Sequence, residues 1–187
     1  MLRAAMGPPP DVRLVRWESL DPGTVLDLYL RNRVHLSPWE PAHPPGYYSI
    51  DGQRARSLEA ATGRAAGREA AYGIVEGSTG TLVGRVGLSG ILRGPFQSAH
   101  LGYLVDAARC GRGYATEAVR RLLVMAFTEL RLHRVEAAVM PRNVASLRVV
   151  ARAGFREEGL ARRYLQINGV WEDHRIFART VEDEDPR

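Results

Sequence analysis

Eight consecutive residues, Cys110-Gly111-Arg112-Gly113-Tyr114-Ala115-Thr116-Glu117, carry the most chemical information in this chain of 187 residues. They fall between a segment that reads as a strand, Ala99 to Val105, and the longest helical pattern in the sequence. Two glycines let the backbone come close to a ligand, and Gly113 sits where the helix begins. The free amides of the helix's first turn then point at whatever fills the loop, and the helix dipole favours an anion there. A phosphate or pyrophosphate is the natural guest. The alternative is a tight strand-to-helix turn with no ligand. A dinucleotide fingerprint fits poorly, because it needs a third glycine near Thr116. Glu136, about twenty residues on, also falls in mid-strand instead of at a strand's end.

Other chemistries are excluded by what the chain lacks. All 26 basic residues are arginine, so a Walker-type phosphate loop and a lysine Schiff base are both ruled out. The histidines, His35, His43, His100, His133 and His174, show no metal-ligand spacing, and no metal is expected. The net charge of +5 would suit an RNA-rich neighbourhood. No basic segment interleaved with aromatics occurs, so nucleic acid is not expected as a direct ligand. A single cysteine, Cys110, excludes an internal disulfide framework and fits a reducing compartment. No stretch approaches the roughly 20 apolar residues of a membrane span, and Met1 to Pro10 is too short and Pro-rich for a signal peptide. A soluble, cytoplasmic protein with no membrane partner is the expectation.

The elements that must position the loop follow from periodicity. Val12 to Trp17 alternates as a strand, and Asp21-Pro22 opens a helix whose apolar side is Val25, Leu26, Leu28, Tyr29 and Leu30. A loop rich in proline and aromatics, Leu36 to Tyr48, precedes an Arg/Ala-rich helix that Asp51 is expected to cap and that runs to about Gly67. Strands at Ala70–Glu76 and Thr81–Leu88 are joined by the turn Gly77-Ser78-Thr79-Gly80, and the strand Ala99–Val105 follows. Ala115, Val119, Leu122, Leu123, Ala126, Phe127 and Leu130 form one stripe of the long helix. Val135–Val139 reads as a strand, and Ala145–Ala153 as a short helix ended by Gly154. Glu157–Ile167 and Val170–Arg179 form a hairpin around Asn168-Gly169. The order predicts an α/β fold of the α+β type, a mixed, mostly antiparallel sheet with helices on both faces. No linker divides it: a flexible lead over residues 1–10, one domain over 11–180 and an acidic tail over 181–187 are expected.

Several blocks, in order, resemble the GCN5-related N-acetyltransferase (GNAT) superfamily, and in particular its ribosomal-protein alanine N-acetyltransferase (RimJ/RimL) branch. They are Cys110 to Ala118, His133-Arg134-Val135-Glu136, Asn143-Val144-Ala145-Ser146, Gly154 to Gly159 and Tyr164 to His174. Upstream, Asn32 to Trp39 and Gly94 to Tyr103 join the set, so the resemblance spans about residues 11–180.

The resemblance implies acetyl transfer from acetyl-CoA to a primary amine, on a sheet with one splayed parallel strand pair. Backbone amides from Gly111 through Arg112, Gly113, Tyr114 and Ala115 to Thr116 would hold the pyrophosphate. The pantetheine arm would run between Leu101–Val105, where Leu104 and Val105 are assigned to it, and Val135–Val139. Asn143 would hydrogen-bond the arm, and Ser146 would lie near the thioester sulfur and return a proton to the thiolate. Glu136 is the candidate base, with an ion pair to a neighbouring arginine as the alternative. A base and a tyrosine acid used elsewhere in the superfamily would fall at Ala138 and Val150, so that pair cannot operate. Cys110 departs from the Arg or Gln usual at the start of the loop, and a helix N-terminus could make it a reactive thiol. Trp39, Phe96 and Gln97 are expected to form the acceptor groove, with His100 and Tyr103 lining the amine's approach. The implied acceptor is a protein N-terminus, of the ribosomal-protein alanine type. A small amine such as a polyamine, amino acid or antibiotic is the alternative, and a non-catalytic acetyl-CoA sensor is a third reading. Exposed strands at the last hairpin leave room for a homodimer.

Overall fold

Strand β2 (Ala70–Glu76) is buried along almost its whole length, as a strand must be when helices cover both faces of its sheet. Its alternate residues go to different cores. Ala70, Tyr72 and Ile74 pack with one cluster, and Ala71 and Val75 with another. The computed structural model describes residues 9–183. The expected lead therefore lies outside the described residues except for Pro9 and Pro10, and so does the tail from residue 184 onward.

The chain runs β1 (Val12–Arg16), α1 (Pro22–Leu36), α2 (Ile50–Ala65), β2, β3 (Leu82–Leu92), β4 (Ser98–Val105), α3 (Tyr114–Thr128), β5 (Arg134–Val139), α4 (Val144–Arg152), β6 (Arg156–Ile167) and β7 (Val170–Thr180). The seven strands form one sheet in the order β1-β2-β3-β4-β5-β7-β6. Helices α3 and α4 pack on one face over Val119, Leu122, Val135 and Val150. Helices α1 and α2 cover the other, around Trp17, Leu28, Tyr29 and Leu104. The predicted mixed sheet with helices on both faces is the fold found. Asn168 and Gly169 both take positive φ, 48° and 84°, as a two-residue hairpin turn of the favoured hand requires.

Two element readings differ. Ser49, not Asp51, caps α2: its side chain accepts from Gly52 N, and Asp51 lies two residues further on, in the first turn. An acid in the first turn suits the helix dipole as well as a cap does, so the two positions look alike in sequence. Strand β3 continues to Leu92, past the expected end at Leu88, because its register with β4 shifts between Ser89 and Leu92 and absorbs Gly90 at a φ of 59°.

The decisive feature is the pair β4–β5, the parallel pair of this sheet. The strands are in register only at Ser98–Arg134, Ala99–Val135 and His100–Glu136. Beyond His100 and Glu136 they part, while β5 stays paired with β7 through Val139. Their open ends form a wedge-shaped gap in the middle of the sheet.

Helix α1 holds the lower edge of that gap. Arg31 Nε lies 2.6 Å from Asp106 Oδ2, and buried Asn32 accepts from Ala107 N at 2.8 Å. Asp106 in turn accepts from Ala108 N and caps the 3-10 turn before the glycine loop. Burial alone would raise the Asp106 carboxyl, but the hydrogen bonds from Arg31 and Ala108 outweigh it and hold it below its ordinary value of 3.8. A carboxyl lowered on folding contributes stability above its unfolded pKa and loses it as the pH falls towards the folded one. The difference in melting temperature between the wild type and Asp106→Asn is therefore expected to shrink as the pH is lowered from about 6 to about 3. Thermal melts across that range check it; a constant difference would remove Asp106 from the acid response.

Candidate active site

Past their last paired residues, β4 and β5 wall a cleft of about 640 Å³. One end is the glycine loop. Gly111 and Gly113 both take left-handed φ, 77° and 88°, a region that costs a side-chain-bearing residue about 1–2 kcal/mol. Gly113 is the N-cap of α3, and no side chain caps that helix. Its first-turn amides are thus left for a ligand, and the helix stripe Ala118, Val119, Leu122 and Ala126 is buried deeply enough to hold the axis still. Behind the loop, Glu76 at the end of β2 accepts from the Tyr114 hydroxyl and lies 3.5 Å from Arg109 Nη2, so one carboxylate ties down residues on both sides of the loop. This cradle fits a pyrophosphate.

The middle of the cleft is lined by Tyr103, Asn143 and Ser146. Asn143 caps α4, its Oδ1 accepting from Ser146 N at 3.1 Å. That cap fixes the first turn of α4 and with it the Ser146 hydroxyl. Tyr103 and Ser146 meet oxygen to oxygen at 2.5 Å, and the Tyr103 hydroxyl also lies 3.2 Å from the Ser146 carbonyl. Burial, the larger effect, pushes the Tyr103 phenol up to about 12 against the opposing hydrogen bond from Ser146. It is therefore a neutral proton donor through the physiological range.

The rest of the lining comes from the end of α1, the connection after it, the residue after β5, and β7: His35, Leu36, Trp39, Glu40, Met140 and His174. Arg142 bridges that connection to the last hairpin. Its guanidinium lies 5.1 Å over the Trp39 ring and pairs with Glu172 at 2.6 Å. Asn168 Nδ2, from the hairpin turn, donates to the Ser37 carbonyl.

Of the residues singled out from the sequence, Trp39, Tyr103, Leu104, Val105, Cys110, Gly111, Gly113, Tyr114, Ala115, Thr116, Asn143 and Ser146 line this one cleft. Arg112, Phe96, Gln97, His100 and Glu136 are not among its lining residues. Phe96 and Gln97 precede β4, at the end where β4 and β5 are still paired, and the Phe96 side chain is exposed. His100 and Glu136 form the last paired register before the gap. The Glu136 carboxylate accepts from Arg134 Nε at 2.7 Å and lies 3.7 Å from His100 Nδ1. Tyr103, expected on the amine's path, lines the cleft and meets Ser146 there. The Cys110 thiol sits 3.6 Å from His35 Nε2. Burial, followed by the Asp106 charge, pushes it up, against the activation that a helix terminus would bring.

Sequence reasoning missed Glu40, Arg109, Arg148, Arg152 and His35, all of which line the cleft, as does His174, which could be read as fixing the last hairpin or meeting a substrate. Arg148 and Arg152 are four apart on α4, beside Ala145 and Val149. That helical spacing could have flagged them once Ser146 was assigned to the site. No local pattern marks Glu40. Among the described residues no group of three or more His, Cys, Asp or Glu stands together to hold a metal ion, and no helix is long and apolar enough to cross a membrane.

The sequence matches the Acetyltransferase (GNAT) domain over residues 11–156. The chain belongs to the GNAT acetyltransferase family. Within that family it lies in the RimJ/RimL branch. It is 43% identical to the probable N-acetyltransferase YjcK of Bacillus subtilis (strain 168), over 86% of this chain and 88% of that one. The crystal structure of the ribosomal-protein-S5-alanine acetyltransferase of Vibrio fischeri superposes with a TM-score of 0.85 at 35% identity, covering 94% of each chain. Mycobacterium smegmatis RimJ, solved in complex with CoA-disulfide, gives 0.84 at 34% identity, covering 91% of this chain and 81% of its own. This acetyltransferase therefore carries an acyl-transfer site, and the cleft between β4 and β5 is the candidate for it.

Proposed function

We propose that this acetyltransferase moves the acetyl group of acetyl-CoA directly onto the α-amine of a protein N-terminus, of the ribosomal-protein alanine type. The observation that carries the reading is the charge on the cleft wall. Three arginines, Arg109, Arg148 and Arg152, line it against a single carboxylate, Glu40. The arginines and the uncapped start of α3 suit a polyanionic co-substrate. One carboxylate suits an acceptor bearing one ammonium group. A polyamine would bring several cations into a wall that offers one carboxylate partner. The similarity to the Vibrio fischeri enzyme supports the same choice of acceptor.

The residues divide the work accordingly. The Gly111–Thr116 backbone holds the pyrophosphate, and the exposed edges of β4 and β5 flank the arm. Acetyl-CoA supplies the activated acyl group. The hydroxyl pair of Tyr103 and Ser146 provides the proton that the departing sulfur needs, and the protein has only to orient an amine that is partly unprotonated near neutral pH.

Mass spectrometry of a mixed reaction tests the reading: protein, acetyl-CoA, peptides with varied N-termini, and a panel of polyamines, amino acids and antibiotic amines. Acetylation of peptides beginning with alanine or serine, well ahead of spermidine, is expected. Acetylation confined to small amines would overturn the protein-acceptor reading, and CoA binding with every acceptor unchanged would favour a sensor.

A further inference from the structure

The Glu40 side chain is held far more closely than a residue of a proline-rich connection needs to be. His43 Nε2 lies 3.0 Å from its Oε2. The His43 ring is itself stacked on Tyr47, with centroids 3.6 Å apart and planes 12° from parallel. Tyr47 is 3% exposed, and its edge meets Tyr29, which packs in turn on Trp17. Arg56 covers the other side of this group, 4.7 Å over the Tyr47 ring. A chain of rings from the buried core therefore fixes His43, and His43 fixes Glu40 at the cleft. Support of this kind is what orients a functional carboxylate. Glu136, the candidate from the sequence, has the opposite surroundings: Arg134 takes one of its oxygens, and it does not line the cleft.

We infer that Glu40 is the residue that receives the acceptor's ammonium group, holds it at the mouth of the gap and takes its first proton. The inference rests on the acetyl-transfer reading of the cleft and applies to any primary amine the enzyme accepts. Two protons leave the acceptor nitrogen in the reaction. One goes to Glu40 and on to solvent, for which the partly exposed His43 offers a path. The other replaces the proton that the hydroxyl pair gives to sulfur. The nitrogen lone pair forms the C–N bond, and the electrons of the C–S bond leave with sulfur.

The test takes whichever amine of the panel is acetylated fastest, together with its own N-acetyl product, which has no charge at that nitrogen. Binding of each to wild type, Glu40→Gln, Glu40→Asp and Glu136→Gln is measured by calorimetry, and steady-state kinetics are run in parallel. For Glu40→Gln, amine binding is expected to weaken at least tenfold and kcat/KM for the amine to fall about 100-fold. The affinity for the N-acetyl product and the KM for acetyl-CoA stay within about twofold. Glu40→Asp recovers part of the loss. A structural role would weaken amine and product alike, so equal loss for both overturns the inference, as does a Glu136→Gln variant that shows the selective loss while Glu40→Gln does not. The choice of acceptor has its own test in the panel, and fails there if the fastest substrate is not a peptide.

Discussion

Replacing Ser146 with alanine is expected to lower kcat by about 100- to 1,000-fold, and Tyr103→Phe by a similar factor, with the double variant little worse than either. The two hydroxyls sit 2.5 Å apart, and either can be the donor. They can act as one unit: Tyr103 replenishes the proton that Ser146 releases to sulfur, or the reverse. Removing either oxygen then disables the same function, and the costs do not add. The phenol, pushed up to about 12 chiefly by burial, keeps its proton throughout the assay range. Acetyl-CoA affinity is expected to change little, because the proposed pyrophosphate site is the loop backbone and not this pair. Steady-state kinetics of the three variants check this. If Ser146→Ala leaves kcat intact, the serine has no part in the proton transfer; if the two costs multiply in full, the hydroxyls act separately.

Gly113→Val is expected to raise the KM for acetyl-CoA by at least tenfold. At a φ of 88° the residue occupies the left-handed region, where a β-branched side chain is a true outlier. Its Cβ would also come within 3.3 Å of Pro10 Cδ. The backbone is then driven to another conformation, at a cost of about 1–2 kcal/mol or more, and the amides that open α3 turn away from the loop they serve. Gly67→Val is the control. Gly67 has a φ of 66° with open space around its Cβ position, and it follows α2, away from the cleft. Both variants lose stability in thermal melts, and only Gly113→Val loses acetyl-CoA. Equal acetyl-CoA binding by wild type and Gly113→Val would mean that the loop does not carry the pyrophosphate.

The positions that were legible from sequence share a local cause. The glycine loop, the long helix and the Asn168-Gly169 hairpin each depend on residues within a few positions of one another, so their chemistry can be read along the chain. The Asn143-to-Ser146 spacing is that of a helix cap and its third residue, and the same spacing places Ser146 on the cleft. Where a local signal had two equal explanations, as with Ser49 and Asp51, or a strand ran through a glycine, as at Gly90, the reading slipped by a few residues.

What was not legible owes its place to long-range pairing. Tyr103 and Ser146 were each singled out, but they are 43 residues apart and nothing local says that their hydroxyls meet. Glu40 looks like one acid in a proline-rich connection until the ring stack of His43, Tyr47 and Tyr29 sets it at the cleft. Glu136 attracted attention as a mid-strand acid, yet the strand pairing puts it at the closed vertex, where Arg134 engages it. By itself the sequence determined the family, the order of the elements and the glycine loop that opens α3, because these rest on contiguous residues and local backbone preferences. Only the tertiary structure decided which side chains share the cleft. That choice follows from where β4 and β5 stop pairing, and the parting point is set by contacts of β5 with β7 and of β4 with β3 that no local segment encodes.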